Sequence, residues 1–426
     1  MFYDPVKLAL WGVVAWFVVW LITPVDVTGD LAIGALLYTV VGYALLIAGA
    51  TMARRPEMEL PGAFPNEPWD KSLHLGLFWW TTGLGAIGMA LRSYDRIFLR
   101  GVEYGANALE FREALANSSS SWAGITGGVL FPLCLIPLML LFASTARKSK
   151  PLLAVSIIVF ALPVVESLFQ LSRSFLILSL GLAFATVVIT RYRGRPVNRR
   201  LVTISLAGML AMLLASTVIF SARLEAGEAR LSDSVFDSVY AAWLQPNQAA
   251  REAISSGSDA EAFVTLAVLP NGMYYISGLY EFSALWLRPD GQVFANGQIS
   301  FYPFVRVIYS VLGIDQLTPD QVEDYVYRDG VFQTFFGPLW VDFGWIGPFL
   351  LFPFGYLIKR LSYRVRAGSV AVLPIYVYLA IVIFFMPVVN FLTGGLGMLA
   401  VLSFVTFAVV AAHIRAKTMV SASQPA

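Results

Sequence analysis

Ten apolar windows constrain this chain more than anything else in it. Each is close to the roughly twenty residues that a helix needs to cross a hydrocarbon core about 30 Å thick. They lie at about 7–24, 31–52, 72–91, 124–144, 151–170, 174–190, 201–220, 336–358, 369–388 and 391–412. The whole chain is 58% hydrophobic and only 13% charged, far from the balance of a soluble domain of 426 residues. The expected fold class is an all-α polytopic membrane protein with about ten transmembrane helices. The first window has only Lys7 ahead of it and no small-residue cleavage site after it, so it reads as a retained helix and not a signal peptide.

Basic residues set the expected orientation. The runs "RKSK" (147–150), "RYRGRPVNRR" (191–200), "KRLSYRVR" (359–366) and "IRAK" (414–417) flank apolar windows and belong on the cytoplasmic side. Ten helices with both termini inside satisfy all four. Three regions follow: residues 1–220 with seven helices and an outer loop at 92–123, a large outer loop at 221–335, and residues 336–426 with three helices and a cytoplasmic tail. Every lysine then falls inside, and every basic residue outside is an arginine. Arginine presents a planar fork that matches phosphate or carboxylate with two parallel hydrogen bonds. The plainer alternative is that lysine is kept inside for topology while outer arginines pair with outer carboxylates.

The span 151–190 is too long for one helix and has basic runs at both ends. It predicts a helical hairpin whose turn, "QLSRS", reaches the outer surface with Arg173 at the tip and Glu166 about two turns deeper. Arg173 is either a snorkelling anchor or part of a site for an anionic headgroup. Arg92, Arg96 and Arg100 recur at i, i+4 and i+8, one face of a helix continuing from the third span. Within the large loop, 263–287 and 301–313 are apolar and aromatic but too interrupted to span, and are expected to lie on or re-enter the outer leaflet. "RPDGQVFANGQ" (288–298) is turn-rich, and 317–330 reads as an amphipathic helix capped by Thr318 with Pro319 at its first position.

Several chemistries are missing. His74 and His413 both fall near the cytoplasmic face, and Cys134 is the only cysteine, so disulfides and a Cys/His zinc site are excluded. No G-x-S-x-G, P-loop or dinucleotide fingerprint occurs in a suitable context. Asp233 and Asp237 are spaced to chelate but read better as a solvated helix face.

Four stretches, "RSYDRIFLRGVEY" (92–104), "QLSRSFLILSLGLAF" (170–184), "YYISGLYEF" (274–282) and "TFFGPLWVDFGWIGPFLLFPFGYL" (334–357), together resemble the Wzy-type O-antigen polymerases. The resemblance covers most of 70–390 and rests on the combination, not on any one motif. It implies a GT-C-like glycosyltransferase of the bacterial inner membrane, with both termini cytoplasmic and the active site periplasmic. Such an enzyme joins undecaprenyl-diphosphate-linked oligosaccharides, donor and acceptor alike, with no metal or nucleotide sugar. It implies no nucleic acid, and a chain-length regulator as a partner. The leaving group would be a lipid diphosphate, whose developing charge preorganised guanidinium groups stabilise. Arg173 is the first candidate for that role, with Arg96 and Arg306 next; Arg288 and Arg328 extend the substrate-binding set, and Tyr274 and Tyr275 are placed to stack on sugar rings. With no outer histidine, a general base would be a carboxylate, with Glu281 and Asp329 the expected catalytic candidates. Asp342, about one turn into the eighth span, is expensive there unless paired and is expected to partner an arginine. An O-antigen ligase-type transferase and a lipid-linked oligosaccharide flippase are the competing readings; the absence of an outer histidine weakens the first and the absence of an internal repeat the second.

Overall fold

The computed structural model describes residues 4–54, 71–101, 121–144, 149–169, 173–191, 242–288, 294–301 and 333–422, with scattered positions between 199 and 219 and between 305 and 325. The first two helices are α1 (Pro5–Ile22) and α2 (Ile33–Met52). The α3 helix (Lys71–Tyr94) continues into a π-helical turn, Asp95–Leu99. A buried helical rod follows: α4 (Trp122–Leu130), a 3₁₀ turn at Phe131–Leu135, and α5 (Ile136–Ala143). Pro132 and Pro137 lie in that rod, each removing a backbone donor, which accounts for the tightened middle turn. The expected hairpin forms as α6 (Lys150–Phe169) and α7 (Arg173–Arg191), with three residues between them.

Within the large loop come α8 (Gln248–Ser255) and α9 (Asp259–Trp286). The chain closes with α10 (Phe336–Phe343), a 3₁₀ segment Gly344–Leu350, α11 (Leu351–Arg366), α12 (Leu373–Phe385) and α13 (Gly394–Ala422). Among the described residues, seven helical runs are long and apolar enough to cross a membrane, and two shorter apolar helices accompany them. The chain is an all-α, multi-pass membrane protein.

One of those seven, Ala260–Trp286, falls in the segment expected to lie on or re-enter the outer leaflet. The segment does not break up into interfacial pieces. It is one 28-residue helix, started by a capping box in which Ser258 and Glu261 satisfy each other's backbone N–H groups. Pro270 sits inside it, and the side-chain amide of the buried Asn271 beside it donates to the Ala267 carbonyl at 2.8 Å and to Thr217 at 3.1 Å. The second half of α9 crosses the ends of other helices. Gly272 meets Thr23 at the end of α1, and Phe282 and Trp286 pack on Tyr38 in the second turn of α2.

A two-stranded antiparallel ribbon pairs β1 (Val25–Val27) with β2 (Leu244–Pro246), tying the α1–α2 connection to the large loop. Neither strand has a sequence signal of its own at three residues. The opposite end of the bundle gathers basic segments from distant parts of the chain. Lys359 pairs with Asp4, which also caps α1, at 3.1 Å, and Arg360 donates to the Arg54 carbonyl at 3.3 Å.

The 369–388 window yields only thirteen helical residues in α12, about 20 Å of rise. Pro387 ends it. Non-helical backbone at membrane depth is tolerated only where protein satisfies it. The Phe335 amide donates to the Met386 carbonyl at 2.9 Å, Thr334 bridges Val389, and the Asn390 side chain donates to the Phe335 carbonyl at 3.3 Å.

Asp342 corrects another expectation. Its carboxylate accepts from the backbone amides of Ile299 and Ser300 at 3.0 and 2.6 Å, and not from an arginine. It thereby pins the turn that Asn296 and Gly297 make with positive φ, as the turn-rich sequence there predicts. Asp342→Ala leaves two N–H groups without their acceptor, at about 1–3 kcal/mol each. The expected result is a clear drop in the melting temperature of the detergent-solubilised protein, with Asp342→Asn losing less because one oxygen remains.

Candidate functional site

Glycine makes the site possible. The α3–α4 contact is backbone against backbone: a Cβ on Gly127 would stand 2.7 Å from the Arg92 nitrogen and 2.9 Å from the Gly88 carbonyl oxygen. Small residues allow this approach in membrane helices, where no hydrophobic effect drives association. The close seam carries the C-terminal end of α3 inward. There the helix widens into the π-turn, where the Arg100 amide reaches back five residues to the Asp95 carbonyl at 2.9 Å. Such turns are rare and cluster at functional sites. Asp95 and Arg96 are consequently buried at 2% and 6% exposure.

Glu166, in the last turn of α6, faces them. The Arg92 Nε donates to both Glu166 oxygens at 3.0 Å, and Arg96 Nη1 donates to Glu166 Oε1. The Arg92 guanidinium also stacks over the Phe131 ring, 4.5 Å from its centroid. A second pair lies alongside: Arg100 Nε is 2.9 Å from Asp95 Oδ2. Ser121 donates to Asp95 and, as the N-cap of α4, accepts from the Gly124 amide at 3.1 Å. Among the described residues, three guanidinium groups thus meet two carboxylates. Stability alone gives no reason for it, because buried ion pairs are frequently no better than apolar replacements of the same volume, while breaking one costs about 3–5 kcal/mol.

Arg173 begins α7, directly after the hairpin turn; its side chain lies outside the described residues. The helix it begins is anchored beside the cluster, since Phe175 packs against Phe131, the ring beneath Arg92, at 5.8 Å between centroids. Arg96 is joined to Glu166, and Arg92 links the same carboxylate, through Phe131, to the start of the Arg173 helix. Arg92 shares the i, i+4, i+8 spacing but is not among the expected site residues. The i, i+4 arginine pair was the available signal; its carboxylate partner, 74 residues away, was not visible as a partner.

The remaining candidates belong to a second region. Glu281 is fully buried and accepts from the Trp243 indole N–H at 2.7 Å, which fastens β2 to α9. Tyr274 and Tyr275 are half-buried on α9, edge to face at 5.6 Å between ring centroids. Arg288 follows the end of α9 and is half-buried. Arg306, Arg328 and Asp329 lie outside the described residues. A cleft of about 600 Å³ between α8 and α9 is lined by Glu252 and Glu261 with no basic residue, the wrong sign for an anionic ligand. Among the described residues, no three His, Cys, Asp or Glu side chains gather as a metal site.

Fold and site together define a multi-pass α-helical membrane protein with a buried arginine–carboxylate network at the tip of a helical hairpin. No protein-family model, curated protein or solved structure matches the chain.

Proposed function

We propose that this protein is a glycosyltransferase of the bacterial inner membrane that polymerises undecaprenyl-diphosphate-linked oligosaccharide repeat units on the periplasmic face. The observation that carries the reading is the pairing of two arginines, Arg92 and Arg96, on the single carboxylate of Glu166, with α7 and its first residue, Arg173, starting beside them. In the proposed reaction, a hydroxyl of the incoming unit attacks the anomeric carbon of the growing chain. The bond from that carbon to the lipid diphosphate breaks, and the diphosphate departs with the electron pair. Guanidinium groups held in place beforehand stabilise the charge that develops there without having to reorganise. The hydroxyl proton passes to a carboxylate, for which Asp329 is the candidate; Glu281, the other expected base, is fully buried against the Trp243 indole. The α9 tyrosines and the nearby tryptophans offer flat apolar faces for the sugars.

Purified protein given a lipid-linked repeat unit is expected to produce a ladder of oligomers. Movement of lipid between leaflets without chain growth would sink this reading in favour of a flippase, and transfer to a different acceptor would favour a ligase. The accompanying topology is checked by cysteine labelling. Probes at Ser119, Ser172 and Ser256 are expected to react with an impermeant reagent from the periplasm, and one at Ser149 only from the cytoplasm. Periplasmic labelling at Ser149 overturns the orientation and the sidedness of every site residue.

A further inference from the structure

The reaction above assigns no individual task to Arg92 or Glu166. A guanidinium has five N–H donors in a fixed plane. Arg92 spends only its Nε on Glu166, and its face rests on Phe131. Among the described residues nothing partners its two terminal nitrogens, which carry the other four N–H groups. The network is sealed on the Glu166 side and less so on this one: 6% of the Glu166 side chain and 8% of Arg96 are exposed, against 16% of Arg92. The ring below and the carboxylate beside it fix the plane, so the unused edge points in one direction. Two parallel N–H groups on such an edge match two oxygens of one phosphate.

We propose that the terminal edge of Arg92 binds a diphosphate group, and that Glu166 is the resident counter-anion of that site. In the empty state Glu166 neutralises and positions the buried Arg96 and the partly exposed Arg92. In the loaded state it sits beside a second anion and lowers the affinity, which lets the diphosphate leave. Like charges a few ångströms apart near a protein surface weaken binding by roughly tenfold or more. The choice of a diphosphate rests on the polymerase reading; the positive edge and its counter-anion do not.

The test uses the purified full-length protein and inorganic pyrophosphate as the probe, with affinity read by calorimetry and protection by thermal shift. Pyrophosphate is expected to raise the Tm of the unaltered protein, and Arg92→Met to abolish that protection while Glu166 keeps Arg96. Glu166→Gln is expected to lower the Tm without ligand and yet bind pyrophosphate about tenfold more tightly. A purely structural ion pair predicts the same fall in Tm with unchanged affinity, and that outcome overturns the proposal. If Arg92→Met fails to fold, Arg92→Lys keeps the ion pair with a single nitrogen and no spare edge; retention of full pyrophosphate affinity there also overturns it. Farnesyl diphosphate in detergent is expected to compete with pyrophosphate, as a lipid headgroup should. Pyrophosphate binding without competition from the lipid overturns the headgroup assignment. Failure of the wild-type ladder alongside tighter pyrophosphate binding by Glu166→Gln removes the polymerase reading and leaves the anion site. A wild-type ladder with unchanged pyrophosphate affinity does the reverse.

Discussion

Under the proposed polymerase activity, replacing Arg173 by lysine is expected to abolish polymer ladders nearly as completely as replacing it by alanine. Lysine keeps the charge but not the planar fork or the second hydrogen bond. Loss of one well-placed stabiliser of transition-state charge costs roughly 3–4 kcal/mol, about 100- to 1000-fold in rate. The position favours such a role, since α7 starts at Arg173, immediately beyond the turn from the helix that carries Glu166. If Arg173 only anchors the hairpin at the headgroups, lysine snorkels equally well and activity survives. The measurement is ladder formation at matched protein levels in the membrane, and near-normal ladders from Arg173→Lys shift the leaving-group role to Arg92 and Arg96.

The second large effect is expected at a residue with no chemistry. Gly127→Leu forces a side chain into the α3–α4 seam, where even a Cβ would stand 2.7 Å from backbone. Overpacking a core costs about 1–3 kcal/mol when side chains yield. Here the obstructing atoms are backbone, so the helices must separate, and the α3 end that carries Arg92, Asp95 and Arg96 moves with them. The expected result is loss of the proposed transferase activity together with a marked fall in Tm. Gly83→Ala, where a Cβ meets open space, should leave both unchanged. A fully active, stable Gly127→Leu protein would show that the seam does not position the network.

Much of the architecture was legible in order and spacing. Apolar length marked the spans because a bilayer has a fixed thickness, and a double-length window between basic runs had to fold back on itself. The i, i+4 spacing of Arg92 and Arg96 placed both on one face, and the structure keeps them there with Glu166 between them. What the sequence could not decide was who partners whom. Arg96 reads as a ligand-facing arginine in sequence, whereas its nearest anion is Glu166 from a helix 70 residues on. Asp342 at membrane depth called for a partner, and geometry supplied two backbone amides in place of a guanidinium.

Continuity within elements was also settled by context. The α9 helix runs on through Pro270, while Pro387 ends α12 after thirteen residues because the chain from 333 to 336 is there to satisfy the freed backbone. Hydrophobic length and basic flanks are local quantities, so the sequence alone determined that this chain is a helical membrane protein and where most of its helices lie. The charged network depends on glycines letting α3 and α4 touch, on a π-turn rotating Arg96 inward, and on a hairpin from elsewhere delivering Glu166. Those are contacts between distant segments, and only the tertiary structure could decide them.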